Sequence, residues 1–425
     1  MTRLTEVSLL AAGVMLACVA FGAQAADRVV QAVRNQVVPA MAAEPGGPAG
    51  GGSVQTSPTA PAVTNPDGSK WKRTLAGTPT QPQTKVTDRD WPATEGAASV
   101  CLWHDDSLAA FSYTIDDNNA MDLPWWMEIA DRYKIKLTWF VVIDRIDATD
   151  GRRAQGGKWE GWRKVYAKGH DVQSHSWDHM RKGGTLPLDQ EYGDAQKAIE
   201  KNIPGDRCLT MAYPGGGRPN DIDVALKYYI ACRGGVPAIN VPGKTSYEMT
   251  RNTSQGIIMD TKKKHCIQAC LDPQSPLYRG WYVGLTHFVG NHEDTKTMIT
   301  DGFYFVTKTP GDFWLGRYRD VVLYGMERDT HTLRSRTMAP GKYELALTCQ
   351  MDPAMYDFPL TVKLKIRDSA KTITAKQADK PIDARMIENA GKKFALVEVV
   401  PNRGPALVEE STAAKTSDSP TKEIR

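Results

Sequence analysis

The sequence predicts an α/β domain built on a parallel sheet or barrel, followed by a small β-rich module. Between about residues 88 and 330, short apolar runs alternate with amphipathic stretches of helical length. After about residue 338, the apolar runs continue without helical stretches between them. With 425 residues, 41% of them hydrophobic, the chain can bury one large core and a smaller second one.

Five runs rich in β-branched and aromatic residues predict the strands of the α/β domain, at 108–115, 136–142, 170–176, 207–214 and 280–288. Amphipathic stretches at 124–135 and 188–203 predict helices between them. Strands that alternate with helices of this length favour βαβ units and a parallel sheet. In such folds the chemistry gathers at the carboxyl ends of the strands.

The C-terminal module is predicted from three runs with period-two alternation, at 341–350, 358–366 and 392–401. Alternation of this kind is typical of strands with one buried face. We therefore assign residues 88–330 to the α/β domain, 331–408 to the β-rich module and 409–425 to a polar, disordered tail.

The N-terminal region predicts export. Residues 1–25 combine Arg3, an apolar stretch and the small residues Ala23 and Ala25, a pattern typical of a cleavable signal peptide. The apolar stretch is shorter than the roughly 18 residues a membrane span needs, so no transmembrane span is expected after cleavage. Residues 26–87 are rich in Pro, Gly and Ser and predict a flexible linker. A periplasmic, secreted or cell-surface location follows.

Composition excludes some partners and leaves the cysteine chemistry open. The net charge of +4 is small for this length and no basic run stands out, so a nucleic-acid partner is not expected. Six cysteines lie beyond the signal segment, an even number compatible with disulfides in an exported protein. Their pairing and the oligomeric state are not predicted.

Candidate chemistry lies where predicted strands end. "SHSWDH" (174–179) sets His175 and His179 four apart, a spacing that in a helix places both side chains on one face. Asp116 and Asp117 follow the first strand. In an extended chain their side chains would point to opposite sides, so the two residues could have two different roles. Asp117 with the two histidines would form a two-histidine, one-carboxylate site for Zn²⁺ or another divalent ion, with Asp116 as a base. His287 ends the last predicted strand.

The order of four motifs resembles the polysaccharide deacetylases, the family four carbohydrate esterases with a NodB-homology domain. The motifs are "TIDD" (114–117), "SHSWDH" (174–179), "AYPGG" (212–216) and "LTH" (285–287), and the likeness covers roughly residues 98 to 328. It implies a distorted (β/α) barrel and metal-dependent removal of N- or O-linked acetyl groups from an acetylated polysaccharide. By position, Asp116 would be the general base and His287 the general acid, while Asp117, His175 and His179 would bind the metal.

The same resemblance implies further site residues. A backbone N–H near Gly215 would hold the oxyanion, since Pro214 matches the family's proline, and Tyr213 and Trp177 would line the substrate site.

The sequence also departs from the family's pattern. The family has an arginine two residues before that proline, where this chain has Ala212; Arg218 or Arg233 would have to replace it. Asn118 stands where the family has a glycine after the aspartate pair.

Two other functions stay open. A zinc-protease hypothesis takes "HSWDH" as a variant of an inverted zinc motif with Asp178 as base, but it gives Asp116, Asp117 and His287 no role. A carbohydrate-binding protein on a deacetylase-like scaffold fits the missing arginine and the aromatic residues that could line a sugar groove. These are Trp125, Trp126, Trp159, Trp162 and Trp177.

Overall fold

A computed structural model describes residues 63–64, 70–71, 84, 86–149, 154–180, 186–217, 219–254 and 256–412. The predicted signal peptide, most of the predicted linker and the end of the predicted tail from residue 413 lie outside these residues. Within the predicted linker, Val63–Thr64 and Lys70–Trp71 pair as antiparallel strands. At its end, Thr84 Oγ1 donates a hydrogen bond to Asp329 (2.7 Å).

The strands, in chain order, are β1 (Val63–Thr64), β2 (Lys70–Trp71), β3 (Ala98–Val100), β4 (Ala109–Asp116), β5 (Thr138–Val141), β6 (Asp171–Ser174), β7 (Thr210–Ala212), β8 (Ala231–Pro237), β9 (Thr250–Ser254), β10 (Trp281–Thr286), β11 (Phe313–Leu315), β12 (His331–Ala339), β13 (Lys342–Cys349), β14 (Leu360–Lys365), β15 (Thr372–Gln377), β16 (Lys380–Pro381), β17 (Ala384–Asn389), β18 (Lys392–Val399) and β19 (Ala406–Ser411). The α-helices are α1 (Leu123–Tyr133), α2 (Trp159–Ala167), α3 (Ala195–Asn202), α4 (Pro219–Tyr228), α5 (Glu293–Thr307) and α6 (Tyr318–Asp329). A π-helical segment, Gln190–Asp194, leads into α3.

Strands β4 to β10 form a closed, parallel barrel of seven strands. Each pairs with the next along the chain, and β10 returns to pair with β4 over Trp281–Thr286. Every residue of β4, β5, β6, β7 and β10 is buried, as expected for parallel strands covered on both faces. The fold class predicted from the sequence is confirmed. Residues 116, 175, 213 and 287 therefore all lie at the same end of one barrel.

Helix α6 closes the opposite end of the barrel. Every residue from Tyr318 to Arg328 is buried except Asp320. The Tyr318 ring packs on Phe140 and Trp281, with ring centroids 5.5 and 5.2 Å apart. Its hydroxyl is hydrogen-bonded to Thr250 (2.6 Å) at the start of β9. A helix buried on all sides needs a cover on its far face, and the C-terminal module supplies it.

The C-terminal module consists of two antiparallel sheets, ordered β12-β13-β19-β15-β16 and β17-β18-β14-β3. Apolar side chains of both sheets share one core with α6; examples are Leu345, Val362 and Val397. Strand β3 precedes the barrel in the chain but pairs with β14, for example Val100 with Val362. The module thus contains one strand that precedes the barrel in the sequence and the strands that follow it.

The six cysteines beyond the signal segment are all buried in the described part of the chain, and none of them forms a disulfide there. The disulfides that the even number allows do not form there. No helix among the described residues is both long and apolar enough to cross a membrane.

Candidate functional site

The aspartate pair lies where β4 leaves the barrel. Asp116 is the last residue of the strand, and Asp117 follows with φ 63°, in the left-handed region. Asp117 is therefore no longer extended, and the two side chains do not take the opposite directions that strand alternation predicts. Both approach the histidines: His175 Nε2 lies 3.8 Å from Asp116 Oδ2, and His179 Nε2 lies 3.5 Å from Asp117 Oδ1.

Two asparagines fix this turn. Asn118 (φ 64°) accepts the Val142 N–H (2.9 Å) and donates to the Val142 carbonyl (3.1 Å), which ties the turn to β5. Asn119 donates to the Asp116 carbonyl (2.8 Å) and to the His287 carbonyl. Asparagine tolerates a positive φ better than most side chains, so Asn118 can take the place of the family's glycine.

The two histidines lie on a loop rather than on a helix face. His175 follows β6, and the left-handed residues Ser176 (φ 69°) and His179 (φ 67°) exclude a helix between them. Ser176 Oγ accepts the His179 N–H (3.0 Å) and so brings the second imidazole back towards the first. The ring centroids of His175 and His179 are 4.8 Å apart.

The donor atoms of Asp117, His175 and His179 lie within 4.8 Å of one another. His175 Nδ1 is hydrogen-bonded to the Ala212 carbonyl (2.8 Å), which places the proton on Nδ1 and leaves Nε2 as the ligand atom. A hydrogen bond behind a histidine ligand, such as this one at His175, is typical of metal sites. Two imidazoles and one carboxylate with room for further ligands fit Zn²⁺ or another divalent ion.

Local electrostatics favour the charge states that such a site needs. Burial lowers the pKa of His175, and burial together with the neighbouring His175 lowers the pKa of His179, which favours the neutral form of both rings. Burial raises the pKa of Asp117, but the charges of His175 and Arg145 outweigh it and hold that pKa below its usual value. A neutral imidazole and an ionised carboxylate are the forms that bind metals.

Arg145 is a neighbour that the sequence did not predict. It belongs to a short turn after β5, and its Nη1 lies 2.7 Å from Asp117 Oδ1. Because it belongs to none of the four motifs, its place at the site could only be found from the structure.

Arg233 supplies the guanidinium group that is missing from position 212, where this chain has alanine. It is the third residue of β8, and Ala212 on β7 is its register partner across the barrel wall. Its Nη2 donates to Asp116 Oδ2, and both side chains are almost fully buried. Of the two replacements that the sequence suggested, Arg233 contacts Asp116; Arg218 lies outside the described residues. Asp116 Oδ1 is buried and has no hydrogen-bond partner within the described residues.

The other predicted residues lie at the same rim with different exposure. His287 is exposed, and its carbonyl accepts the bond from Asn119. Gly215 (φ 64°) is exposed, and a Cβ added there would meet no atom within 4 Å. Tyr213 is buried, and its hydroxyl donates to the Glu248 carbonyl (3.1 Å), whereas Trp177 is half-buried.

Comparison with known proteins identifies the domain. Residues 108–230 match the family model described as Polysaccharide deacetylase. The gellan lyase of a Bacillus species is 34% identical over 357 residues, which cover 76% of this chain but only 14% of that protein.

Two solved structures are similar to part of this chain at low sequence identity. A polysaccharide deacetylase from Bacillus cereus is 17% identical, with a TM-score of 0.28, and the match covers 33% of this chain and 45% of that one. A family 4 acetyl xylan esterase from Clostridium thermocellum is 18% identical, with a TM-score of 0.30, and the match covers 48% of this chain and 87% of that one.

A closed parallel barrel with candidate metal ligands at the carboxyl ends of its strands defines the class of this domain as a (β/α) barrel with a candidate metal site. Residues 108–230, which hold four of the seven barrel strands, match the model of the polysaccharide deacetylase family, the carbohydrate esterases with NodB homology.

Proposed function

We propose that this protein is an exported, metal-dependent hydrolase that removes N- or O-linked acetyl groups from a polysaccharide. The observation that carries the proposal is the convergence of Asp117, His175 and His179 beside Asp116, at the carboxyl end of a deacetylase-family barrel. Two imidazoles and one carboxylate, with their donor atoms within 4.8 Å of one another, are a set that a divalent ion can bind.

The roles of the chain's own groups follow from their positions. A bound divalent ion, held by Asp117, His175 and His179, would polarise the acetyl carbonyl and activate water. Asp116 takes the proton of the attacking water, and its free Oδ1 is the atom suited to do so. Arg233, on the other oxygen, holds the carboxylate in that orientation.

Two further groups complete the reaction at the rim. The backbone N–H near Gly215, above which the space is open, stabilises the developing oxyanion. His287, exposed at the end of β10, returns a proton to the leaving nitrogen or oxygen of the sugar. In one turnover Asp116 gains one proton and His287 gives up one proton, so the net number of protons on the two groups does not change.

A sugar polymer fits the surface around the barrel mouth. Six large apolar side chains are exposed among the described residues, and four of them follow or end barrel strands at the carboxyl side. These four are Met121, Leu186, Val236 and Phe288. Apolar and aromatic faces pack on pyranose rings, so this distribution supports a glycan substrate. Of the tryptophans considered for a sugar groove, Trp126 and Trp162 are fully buried and cannot serve.

The alternatives lose support. The carbohydrate-binding hypothesis gained most from the missing arginine, and Arg233 now fills that place. The zinc-protease hypothesis gives no role to Asp116 or Asp117, which lie beside the two histidines. Export rests on residues 1–25 of the sequence; N-terminal sequencing of the protein from culture supernatant or cell envelope tests it, with a start at Ala26 expected.

The deciding experiment is acetate release by the full chain from a panel of acylated glycans. The panel holds O-acetylated xylan, N-acetylglucosamine oligomers and, because of the relative's name, natively acylated gellan. We expect release from at least one polymer, abolished by a chelator and restored by Zn²⁺. Release that a chelator leaves unchanged would refute metal dependence. A protein that binds metal and glycan but releases no acetate would support the carbohydrate-binding hypothesis instead.

A further inference from the structure

The histidine loop, residues 175–180, is held by a buried carboxylate from outside the four motifs. Glu191 is 2% exposed, and its Oε2 accepts the backbone N–H groups of Trp177 (3.1 Å) and Asp178 (3.2 Å). The Glu191 carbonyl accepts the Trp177 N–H as well (2.9 Å). Two of the three backbone N–H groups between His175 and His179, those of Trp177 and Asp178, are thus bound to one residue.

The loop needs such support because its backbone is strained. Ser176, His179 and Met180 all have positive φ values, at 69°, 67° and 49°. Side chains other than glycine adopt this region at a cost of about 1 kcal/mol or more each, and they stay there only when the surroundings fix them. Without the carboxylate, the loop would relax and the two imidazoles would lose their common direction.

The segment that carries Glu191 is itself unusual and closely packed. Gln190–Asp194 is π-helical, a geometry that widens one turn and turns a side chain away from the α-helical direction. Tyr229 donates its hydroxyl to the Tyr192 carbonyl (2.7 Å), and a Cβ on Gly193 would lie 2.6 Å from the Tyr228 ring. The π-helical segment is therefore fixed from behind and cannot retreat from the loop.

A second contact joins the same two segments. The fully buried Tyr192 donates its hydroxyl to Met180 Sδ (3.3 Å), at the far end of the histidine loop. Glu191 and its neighbour thus hold the loop on both sides of His179.

We propose that Glu191 is a positioning residue of the metal centre: it fixes the histidine loop so that His175 and His179 present their Nε2 atoms to the same point as Asp117. Glu191 touches neither the substrate nor the three predicted ligands, and acts through the backbone of residues 177 and 178. The inference rests on the proposed metal site and adds a residue that no motif contains.

The test is the Zn²⁺ affinity of the full chain, measured by competition with a chromophoric chelator, in wild type and variants. We expect Glu191→Ala to weaken binding about 10- to 100-fold, the range found when groups behind metal ligands are removed. Glu191→Gln keeps an oxygen that can accept both amides and should stay within a few-fold of wild type. Glu191→Asp withdraws the carboxylate by one methylene and should give an intermediate loss, which keeps the test valid if the alanine variant does not fold.

Glu327→Ala is the matched control. Glu327 is also fully buried and also accepts a backbone N–H, from Phe358 (3.2 Å), but it lies on α6 at the closed end of the barrel. It should lower thermal stability without changing Zn²⁺ affinity. Equal affinity in wild type and Glu191→Ala, or an equal loss in Glu327→Ala, overturns the positioning role alone. A folded wild type that binds no divalent ion overturns the proposed function, and the positioning role with it.

Discussion

Strand β6 carries a histidine just beyond each end, and the two have opposite surroundings. His170 precedes Asp171 at the closed end of the barrel, where its Nδ1 accepts the Leu137 N–H (3.1 Å). His175 follows Ser174 at the open end, where its Nε2 faces two carboxylates. Both rings are almost fully buried and lie directly before and directly after the same four-residue strand, so position in the barrel separates their roles.

The charged groups at the closed end form ion pairs with one another. Arg319 lies 3.2 Å from Asp171 and 2.6 Å from Asp206, and all three side chains are buried. Burial raises the pKa of Asp171 to about 7 and lowers that of His170 to about 4. Strong pKa shifts are therefore no mark of function in this molecule. What marks the open end is that the donor atoms of Asp117, His175 and His179 converge within 4.8 Å of one another.

The largest expected effect comes from a substitution at the open end of the barrel. Asp116→Asn should lower kcat about 10³-fold, because an amide cannot take the proton of the attacking water. Zn²⁺ affinity should stay within a few-fold, since Asp116 is not among the predicted ligands. Steady-state acetate release and metal titration measure the two quantities. Full activity in this variant would show that another group is the base.

The next largest effect is a loss of stability from a substitution at the closed end of the barrel. Arg319→Met leaves Asp171 and Asp206 buried together without their cation, and should lower the free energy of unfolding by about 3–5 kcal/mol. Denaturant melts measure this, while Zn²⁺ affinity should not change. Lys164→Met, which removes an exposed helix pair with Glu160, is the control and should cause no measurable loss. A large fall in metal affinity in Arg319→Met would mean that the two ends are coupled.

The relocated arginine gives a sharper test of the open end. Arg233→Ala should lower kcat about 10²-fold with little change in KM, because the orientation of Asp116 is lost. Since Ala212 and Arg233 are register partners on adjacent strands, the double variant Ala212→Arg, Arg233→Ala should recover much of that loss. If the double variant is no better than the single one, the two positions are not equivalent.

The smallest effect concerns His170 and pH. Its pKa in the folded protein, about 4, lies below the value near 6.5 in the unfolded chain, so the unfolded chain takes up more protons as the pH falls. The stability that His170 contributes is complete above pH 6.5 and is lost as the pH falls towards 4, which amounts to about 2 kcal/mol by pH 5. His170→Asn keeps an acceptor for the Leu137 N–H. In this variant, the loss of unfolding free energy between pH 7 and pH 5 should be smaller than in wild type by about 2 kcal/mol. An unchanged slope would show that other groups cause the pH dependence.

Sequence reasoning reached the barrel and the motif residues because both depend on local patterns. The run at 108–115 is rich in apolar and aromatic residues and is followed by the two aspartates, and β4 indeed ends at Asp116. The predicted limits of β4, β5 and β10 differ from the observed ones by one or two residues. The three strands predicted for the C-terminal module correspond to β13, β14 and β18.

The parts that sequence reasoning missed depend on register and backbone geometry. Nothing in the sequence aligns Ala212 with Arg233, although the apolar run before Arg233 could have predicted β8. The stretch 188–203 has a helical pattern throughout, and the pattern does not reveal that residues 190–194 are π-helical. The spacing of His175 and His179 favours a helix until the positive φ of Ser176 is known.

The pairing of β3 with β14 affects how the chain can fold. Val100 must wait for Val362, about 260 residues later in synthesis, before its sheet can form. The residues of the whole barrel thus lie between the two strands of one pair. Contacts between residues so far apart in the sequence form slowly. A chain cut at residue 330 would leave β3 without a partner and expose the far face of α6. Barrel and module are therefore a single folding unit, and the barrel released from its module should aggregate instead of catalysing.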